Sequence, residues 1–162
     1  MQETLPDLSP AERRLLKLLQ EDLPLCEDPW DAVGAAAGFS GAEVRAKLAL
    51  WREQGLIRKI GPSVNPRALD WFSSLCAVSV PQRMLPAFEA YVNGIDAITH
   101  CYLRDNPQFN VWFTIIAPDE NTAFALMEAI RRRFDLPAVK SFPATEVFKI
   151  KAVFDLNGDD ER

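Results

Sequence analysis

The sequence predicts an α+β protein in two parts: an N-terminal winged helix-turn-helix (residues 1–66) and a ferredoxin-like βαββαβ domain (residues 67–162). Three observations carry that prediction. Ser9-Pro-Ala-Glu12 and Ser40-Gly-Ala-Glu43 are helix-start signatures of one form, each followed by apolar residues at helical spacing. Beyond residue 70 the apolar residues alternate in several runs, the period of a strand. Between Ile98 and Ile116 two such runs flank the polar Asp105-Asn-Pro-Gln108, the pattern of a β-hairpin.

In chain order, Ser9 caps a helix that Pro10 opens, and Leu15, Leu16, Leu18 and Leu19 form its apolar side. Trp30 to Ala37 reads as a second, small-residue helix ended by Gly38. The third helix places Val44, Leu48 and Trp51 on one side and stops at Gly55; residues 56–60 then read as the wing strand, turning at Gly61-Pro62. Residues 62–70 form a linker. Leu75 to Val80 is a strand closed by Pro81, and Met84, Phe88, Tyr91 and Val92 mark a helix ended near Gly94. After the hairpin, Pro118-Asp119 starts a helix with Phe124, Met127, Ile130 and Phe134 inward. Its Arg131, Arg132 and Arg133 suit the negative end of the helix dipole. Residues 147–154 alternate and read as the final strand, and 158–162 as a polar tail.

Composition narrows the function classes. With 48% apolar residues the chain carries enough material for a packed core, and no apolar run approaches the roughly 20 residues of a membrane span. The N-terminus lacks the basic start and apolar core of a signal peptide. Cys26, Cys76 and Cys101 are scattered and odd in number. That argues against a disulfide framework or a zinc knuckle and suits a reducing cytoplasm. The net charge is −5, and both parts are mildly acidic. The third helix sets Arg45, Lys47 and Arg52 against Glu43 and Glu53. Duplex binding draws its strength from many cation contacts, so nucleic acid is not expected as a partner.

The hairpin carries the chemistry. Strand alternation predicts Ile98, His100, Tyr102 and Arg104 on one face of its first strand, with Asn110, Trp112 and Thr114 on one face of the second. One surface would then collect an imidazole, a phenol, a guanidinium, an amide and an indole. His100 is the only histidine in the chain.

Trp51-Arg-Glu-Gln-Gly-Leu-Ile-Arg-Lys-Ile-Gly61 is similar to the join of recognition helix and wing in the Lrp/AsnC family, and the whole chain resembles that architecture. Within it, three blocks resemble the siroheme decarboxylases: Thr99-His-Cys-Tyr-Leu-Arg-Asp-Asn106, Asn110-Val-Trp-Phe-Thr114 and Phe142-Pro-Ala-Thr-Glu-Val-Phe-Lys-Ile-Lys151. The resemblance implies a carboxy-lyase of heme biosynthesis that removes two acetate carboxyls from siroheme, giving 12,18-didecarboxysiroheme. It implies no added organic cofactor, the iron arriving with the substrate, and work in pairs of similar subunits. The alternatives are an Lrp/AsnC-type transcriptional regulator and a tetrapyrrole carrier or sensor.

Under the resemblance the residue types acquire roles. Histidine is the side chain that exchanges protons near neutral pH, so His100 is the candidate acid. Arg104 is suited to hold a carboxylate bidentately and Tyr102 to donate a hydrogen bond beside it. Asn110 and Trp112 are expected to bind the macrocycle. Arg58, Lys59, Lys149 and Lys151 are the candidate cations for the remaining acids, although Lys149 and Lys151 also fit an ordinary half-exposed strand. Related subunits carry further histidines around the wing and linker, where Gly61 to Phe72 here has none. The expected assembly is therefore a heterodimer whose partner supplies the missing group.

Overall fold

The computed structural model describes residues 7–21, 23–62, 64–151, 153, 154 and 156. The N-terminal stretch read for a signal peptide falls largely outside them, as does the expected tail at 158–162. The chain divides into two compact units, one of residues 1–62 with 149–162 and one of residues 63–148.

The first unit is built on α1 (Pro10–Glu21), α2 (Pro29–Ala37) and α3 (Gly41–Glu53). Both expected capping boxes form. The Ser9 backbone N–H and hydroxyl donate to Glu12 Oε2 at 2.9 and 2.6 Å, and the Glu12 N–H returns to Ser9 Oγ. Ser40 and Glu43 repeat the arrangement at α3. Gly38 ends α2 at φ 85°, a left-handed position that glycine takes without steric cost. Leu15, Leu16, Val33, Ala37, Val44, Leu48 and Trp51 fill the core between the helices.

No strand forms over 56–60, so the helix-turn-helix has no wing strand among the described residues. A strand is stable only when its backbone finds a ladder, and the sequence beyond Gly61 is broken by Pro62 and Pro66. Leu56 and Ile57 instead pack against the helical core, and the Ile57 N–H donates to the Trp51 carbonyl at 3.0 Å.

The second unit runs β1 (Phe72–Val78), α4 (Leu85–Asn93), β2 (Ile98–Leu103), β3 (Val111–Ala117), α5 (Glu120–Arg133) and β4 (Lys140–Pro143). The sheet order β2-β3-β1-β4, with antiparallel pairing between neighbours, is the ferredoxin-like arrangement. Residues 62–70, expected as plain linker, contain a 3₁₀ turn at Pro66–Leu69 capped by Asn65. Its final strand is Lys140–Pro143, not 147–154, whose described residues form no strand.

One sheet face meets the helices. Cys76, Val78, Val111, Phe113, Ile115 and Ala117 point toward Phe88 and Val92 of α4 and toward Ala123, Met127 and Ile130 of α5. Phe124, expected inward, sits at the margin with its ring 6.2 Å from that of Phe72. Arg131 and Arg132 both donate to the Glu128 carboxylate, so the basic end of α5 is a helix-end ion cluster. The other sheet face carries no helix of this unit, and the chemistry-bearing side chains stand there.

Candidate active site

The helix-free face is defined by the register. His100 pairs with Thr114 and through it with Leu75; Tyr102 pairs with Trp112, Ala77 and then Lys140. Phe142 pairs with Leu75 and shares the face. β2 is one of the two edge strands, so His100, Tyr102 and Arg104 follow one another along an open margin.

These three side chains form a ladder. The His100 and Tyr102 rings are stacked with centroids 6.2 Å apart and planes at 26°, and the Arg104 guanidinium lies 5.7 Å from the Tyr102 ring centre. Stacking of a guanidinium on a phenol restrains its long side chain while leaving its donors to a ligand. All three side chains are exposed.

Ile98 does not join them. A register irregularity between Ile98 and His100 places Ile98 opposite Ile115, on the core side, and leaves Thr99 as the extra residue. Thr99 Oγ1 lies 3.0 Å from His100 Nδ1. Strict alternation from Ile98 therefore misassigned that residue, because a bulge inserts one residue and inverts the facing on one side of it.

Trp112 is fixed from two sides. Its indole N–H donates to the Phe109 carbonyl at 2.9 Å, and its ring stacks with Phe142 at 5.9 Å and 23°. Ala77, in the strand between those two, faces the same side yet is fully covered. Its small side chain lets the two rings meet above it. An open hollow of about 560 Å³ is lined by Trp112, Leu75, Arg104, Asp105 and Asn106, a size within the range of small-molecule sites.

Asn110, expected to bind the macrocycle, has its amide engaged by the backbone. Its side-chain amide donates to the Val80 carbonyl and accepts from the Val80 N–H, both at 2.8 Å. The side chain thus continues the β1–β3 ladder past its last backbone pair. Arg58, Lys59, Lys149 and Lys151 belong to the first unit and are exposed, and neither Lys149 nor Lys151 lies on a strand. Phe142, Leu75, Asp105 and Asn106 were missed as site residues. Asn106 carried a signal, since its side chain accepts from the N–H groups of Gln108 and Phe109 and shapes the turn. Phe142 carried only its place in the third motif block.

The opposite side of the hairpin holds a smaller cavity, about 220 Å³, between α4 and the sheet, with Cys101 and Glu89 in its wall. Burial, helped by the Glu89 charge, raises the Cys101 thiol above its ordinary range. Burial pushes Cys76 up to about 11. Both thiols are thereby kept from the reactive thiolate form. Among the described residues, no three His, Cys, Asp or Glu side chains come together as a metal cage, and no helix is long and apolar enough to cross a membrane.

Comparison with known proteins agrees with this architecture and specifies it. The AsnC-like ligand binding domain matches residues 71–149, and the siroheme decarboxylase NirDL-like HTH domain matches residues 12–58. The AsnC family transcriptional regulator from Agrobacterium tumefaciens superposes with a TM-score of 0.73 at 18% identity, over 93% of this chain and 98% of that one. The siroheme decarboxylase NirDL, solved with an iron-uroporphyrin III analogue, gives 0.59 at 22% identity, over 89% of this chain and 47% of that one. At such identities both speak for the fold. The siroheme decarboxylase alpha subunit of Desulfovibrio desulfuricans is 33% identical over 155 residues, covering 96% of this chain and 88% of its own length. With an Lrp/AsnC-like fold and that identity sustained from end to end, the chain belongs to the siroheme decarboxylase subunit family.

Proposed function

We propose that this chain is a catalytic subunit of a siroheme decarboxylase, removing two acetate carboxyls of siroheme to give 12,18-didecarboxysiroheme in heme biosynthesis. The observation that carries the assignment of roles is the His100–Tyr102–Arg104 ladder beside the hollow floored by Trp112. Each event converts ring–CH₂–COO⁻ and a proton into ring–CH₃ and CO₂. The electron pair of the broken C–C bond is delocalised into the macrocycle and then taken up by the proton. The protein must therefore supply a proton at the methylene carbon, a hold on neighbouring carboxylates and exclusion of bulk water.

His100 delivers the proton, Arg104 binds a carboxylate through its paired donors, and Tyr102 donates a hydrogen bond beside it. Trp112 lies against the macrocycle, backed by Phe142. The substrate brings its own iron and no further organic cofactor is needed. Asn110 is left out of this set because its amide is occupied by Val80.

The partner is a homologous subunit. Relatives are named as subunits, and NirDL is about twice as long as this chain, which spans 47% of it. A solitary histidine supports the same division of labour, since a single imidazole cannot at once ligate iron and act as a free acid. We place the protein in the cytoplasm, where its unpaired cysteines remain reduced.

The decisive experiment is anaerobic incubation of siroheme with the chain and its co-expressed partner, read by mass spectrometry of the pigment. Two successive losses of CO₂ are expected, and His100→Ala should lower the rate by about 10²-fold or more. A pigment that stays bound with all carboxyls intact would make the chain a carrier. No pigment binding, with salt-sensitive duplex binding instead, would make it a regulator.

A further inference from the structure

The first residue of the bulge makes a contact that a regular strand forbids. Successive side chains of a strand point to opposite faces, so a side-chain hydrogen bond between residues i and i+1 is out of reach. Thr99 and His100 are nonetheless joined, Oγ1 to Nδ1, at 3.0 Å. The register irregularity at this point is the reason: Ile98 keeps its place opposite Ile115 while His100 faces outward opposite Thr114, and Thr99 is unpaired between them. Bulges of this kind re-aim a side chain.

We propose that Thr99 is a positioning residue that fixes the tautomer and the facing of His100 for proton delivery. This inference rests on the reading of His100 as the acid. In the imidazolium, which carries hydrogen on both nitrogens, Nδ1–H donates to the Thr99 hydroxyl oxygen and Nε2–H is left outside that bond. When Nε2 gives its proton to the methylene carbon, the C–CO₂ bond breaks and CO₂ departs. The imidazole is left neutral with hydrogen on Nδ1, the form that the bond to Thr99 retains. Solvent then reprotonates Nε2. Which nitrogen of a histidine carries the proton is set by the hydrogen bond made by the other one, and in free histidine Nε2–H is the favoured neutral form. A hydroxyl is able either to donate to a bare Nδ1 or to accept from Nδ1–H; in the proposed role Thr99 accepts, which keeps the delivering nitrogen Nε2 open to recharging.

His100 is the only histidine of the chain, so every imidazole signal in ¹⁵N spectra of the untagged protein belongs to it. At a pH where the ring is neutral, the shifts should report the Nδ1–H tautomer. Thr99→Val, which keeps the β-branched shape and removes the hydroxyl, should return the ring to the Nε2–H form. In the siroheme assay with the partner subunit, Thr99→Val should lower kcat roughly five- to tenfold with KM unchanged, the size of one neutral hydrogen bond. Thr99→Ser should restore both the tautomer and the rate. If His100→Ala is impaired but Thr99→Val keeps wild-type shifts and kcat, the positioning role is overturned while the acid assignment stands. If His100→Ala decarboxylates at the wild-type rate, the acid assignment itself fails.

Discussion

At the scale of single residues, the sharpest distinction is between Asn110 and its neighbours. In sequence Asn110 and Trp112 look alike: two polar-capable side chains two apart on one strand. In the fold Asn110 spends its donor and acceptor on Val80, whose side chain is buried. Its amide replaces a missing backbone unit at the end of the ladder. Asn110→Ala would leave the Val80 N–H and C=O without those partners, and each part-buried polar group so stranded costs about 1–3 kcal/mol. The expected outcome is a lowered urea midpoint, with an unchanged KM for siroheme in the fraction that remains folded. A raised KM with unaltered stability would return Asn110 to the binding set. Nothing in the sequence distinguishes an amide that binds substrate from one that binds backbone. The answer depends on β1 ending at Val78, so that Val80, thirty positions away, needs a partner beyond the ladder. His100, Tyr102 and Arg104 were legible because their relation is local, alternate positions of one strand, and only Ile98 was lost to the bulge.

At the scale of elements, local signals survived and pairing signals did not. The capping boxes formed as written because all their partners lie within three residues. The hairpin was readable for a similar reason, its strands being joined by a short turn. The last strand was misplaced because residues 147–154 alternate better than Lys140–Pro143 does. Alternation measures only readiness to be a strand, whereas β1 selects the neighbour it pairs with. The wing strand failed likewise, for want of a ladder. The Glu12 box also reaches beyond its own helix: Lys47 of α3 donates to Glu12 Oε1 at 2.8 Å. The Lys47 bond first, then the Ser9 bonds, hold the Glu12 carboxyl down at about 2 against an ordinary 4.5. A carboxyl lowered on folding stabilises the native state fully above its unfolded value, and the contribution disappears as pH falls through the folded one. Between pH 4.5 and 2 this group should therefore withdraw about 1 kcal/mol, a figure discounted for its partial exposure. Glu12→Gln, which keeps a capping side chain without the charge, should show a shallower loss of stability over that window in chemical denaturation. Parallel curves for the two proteins would mean that the Lys47 pair contributes nothing to stability.

At the scale of the whole molecule, charge sets the problem that binding has to solve. The chain carries a net charge of −5, and its proposed substrate is a pigment rimmed with carboxylates. Long-range attraction cannot bring the two together, so recognition must rest on short-range contacts strong enough to overcome repulsion. Arg104, at the edge of the hollow, is the proposed source of one such contact, and Lys140 stands on the same sheet face in register with Ala77 and Trp112. Salt acts on these terms with opposite signs: it screens the general repulsion, which favours binding, and weakens exposed cation–carboxylate pairs, which opposes it. The screening length is about 10 Å at 0.1 M and about 3 Å at 1 M. Contacts within hydrogen-bonding distance are therefore weakened less than the repulsion between distant charges. If Arg104 is the principal anchor, KM for siroheme should change little with salt in the wild type. Arg104→Gln should raise KM about tenfold or more at low salt, the effect of losing a hydrogen-bonded charge pair worth about 1.5–3 kcal/mol. Added salt should then partly recover binding in the variant, because only repulsion remains to be screened. Arg104→Lys should fall between the two, since it restores the charge without the paired donors. Should salt instead raise the wild-type KM steeply and leave Arg104→Gln no worse than wild type, the acids would be held by a diffuse set of cations, and the main anchor would lie on the partner subunit.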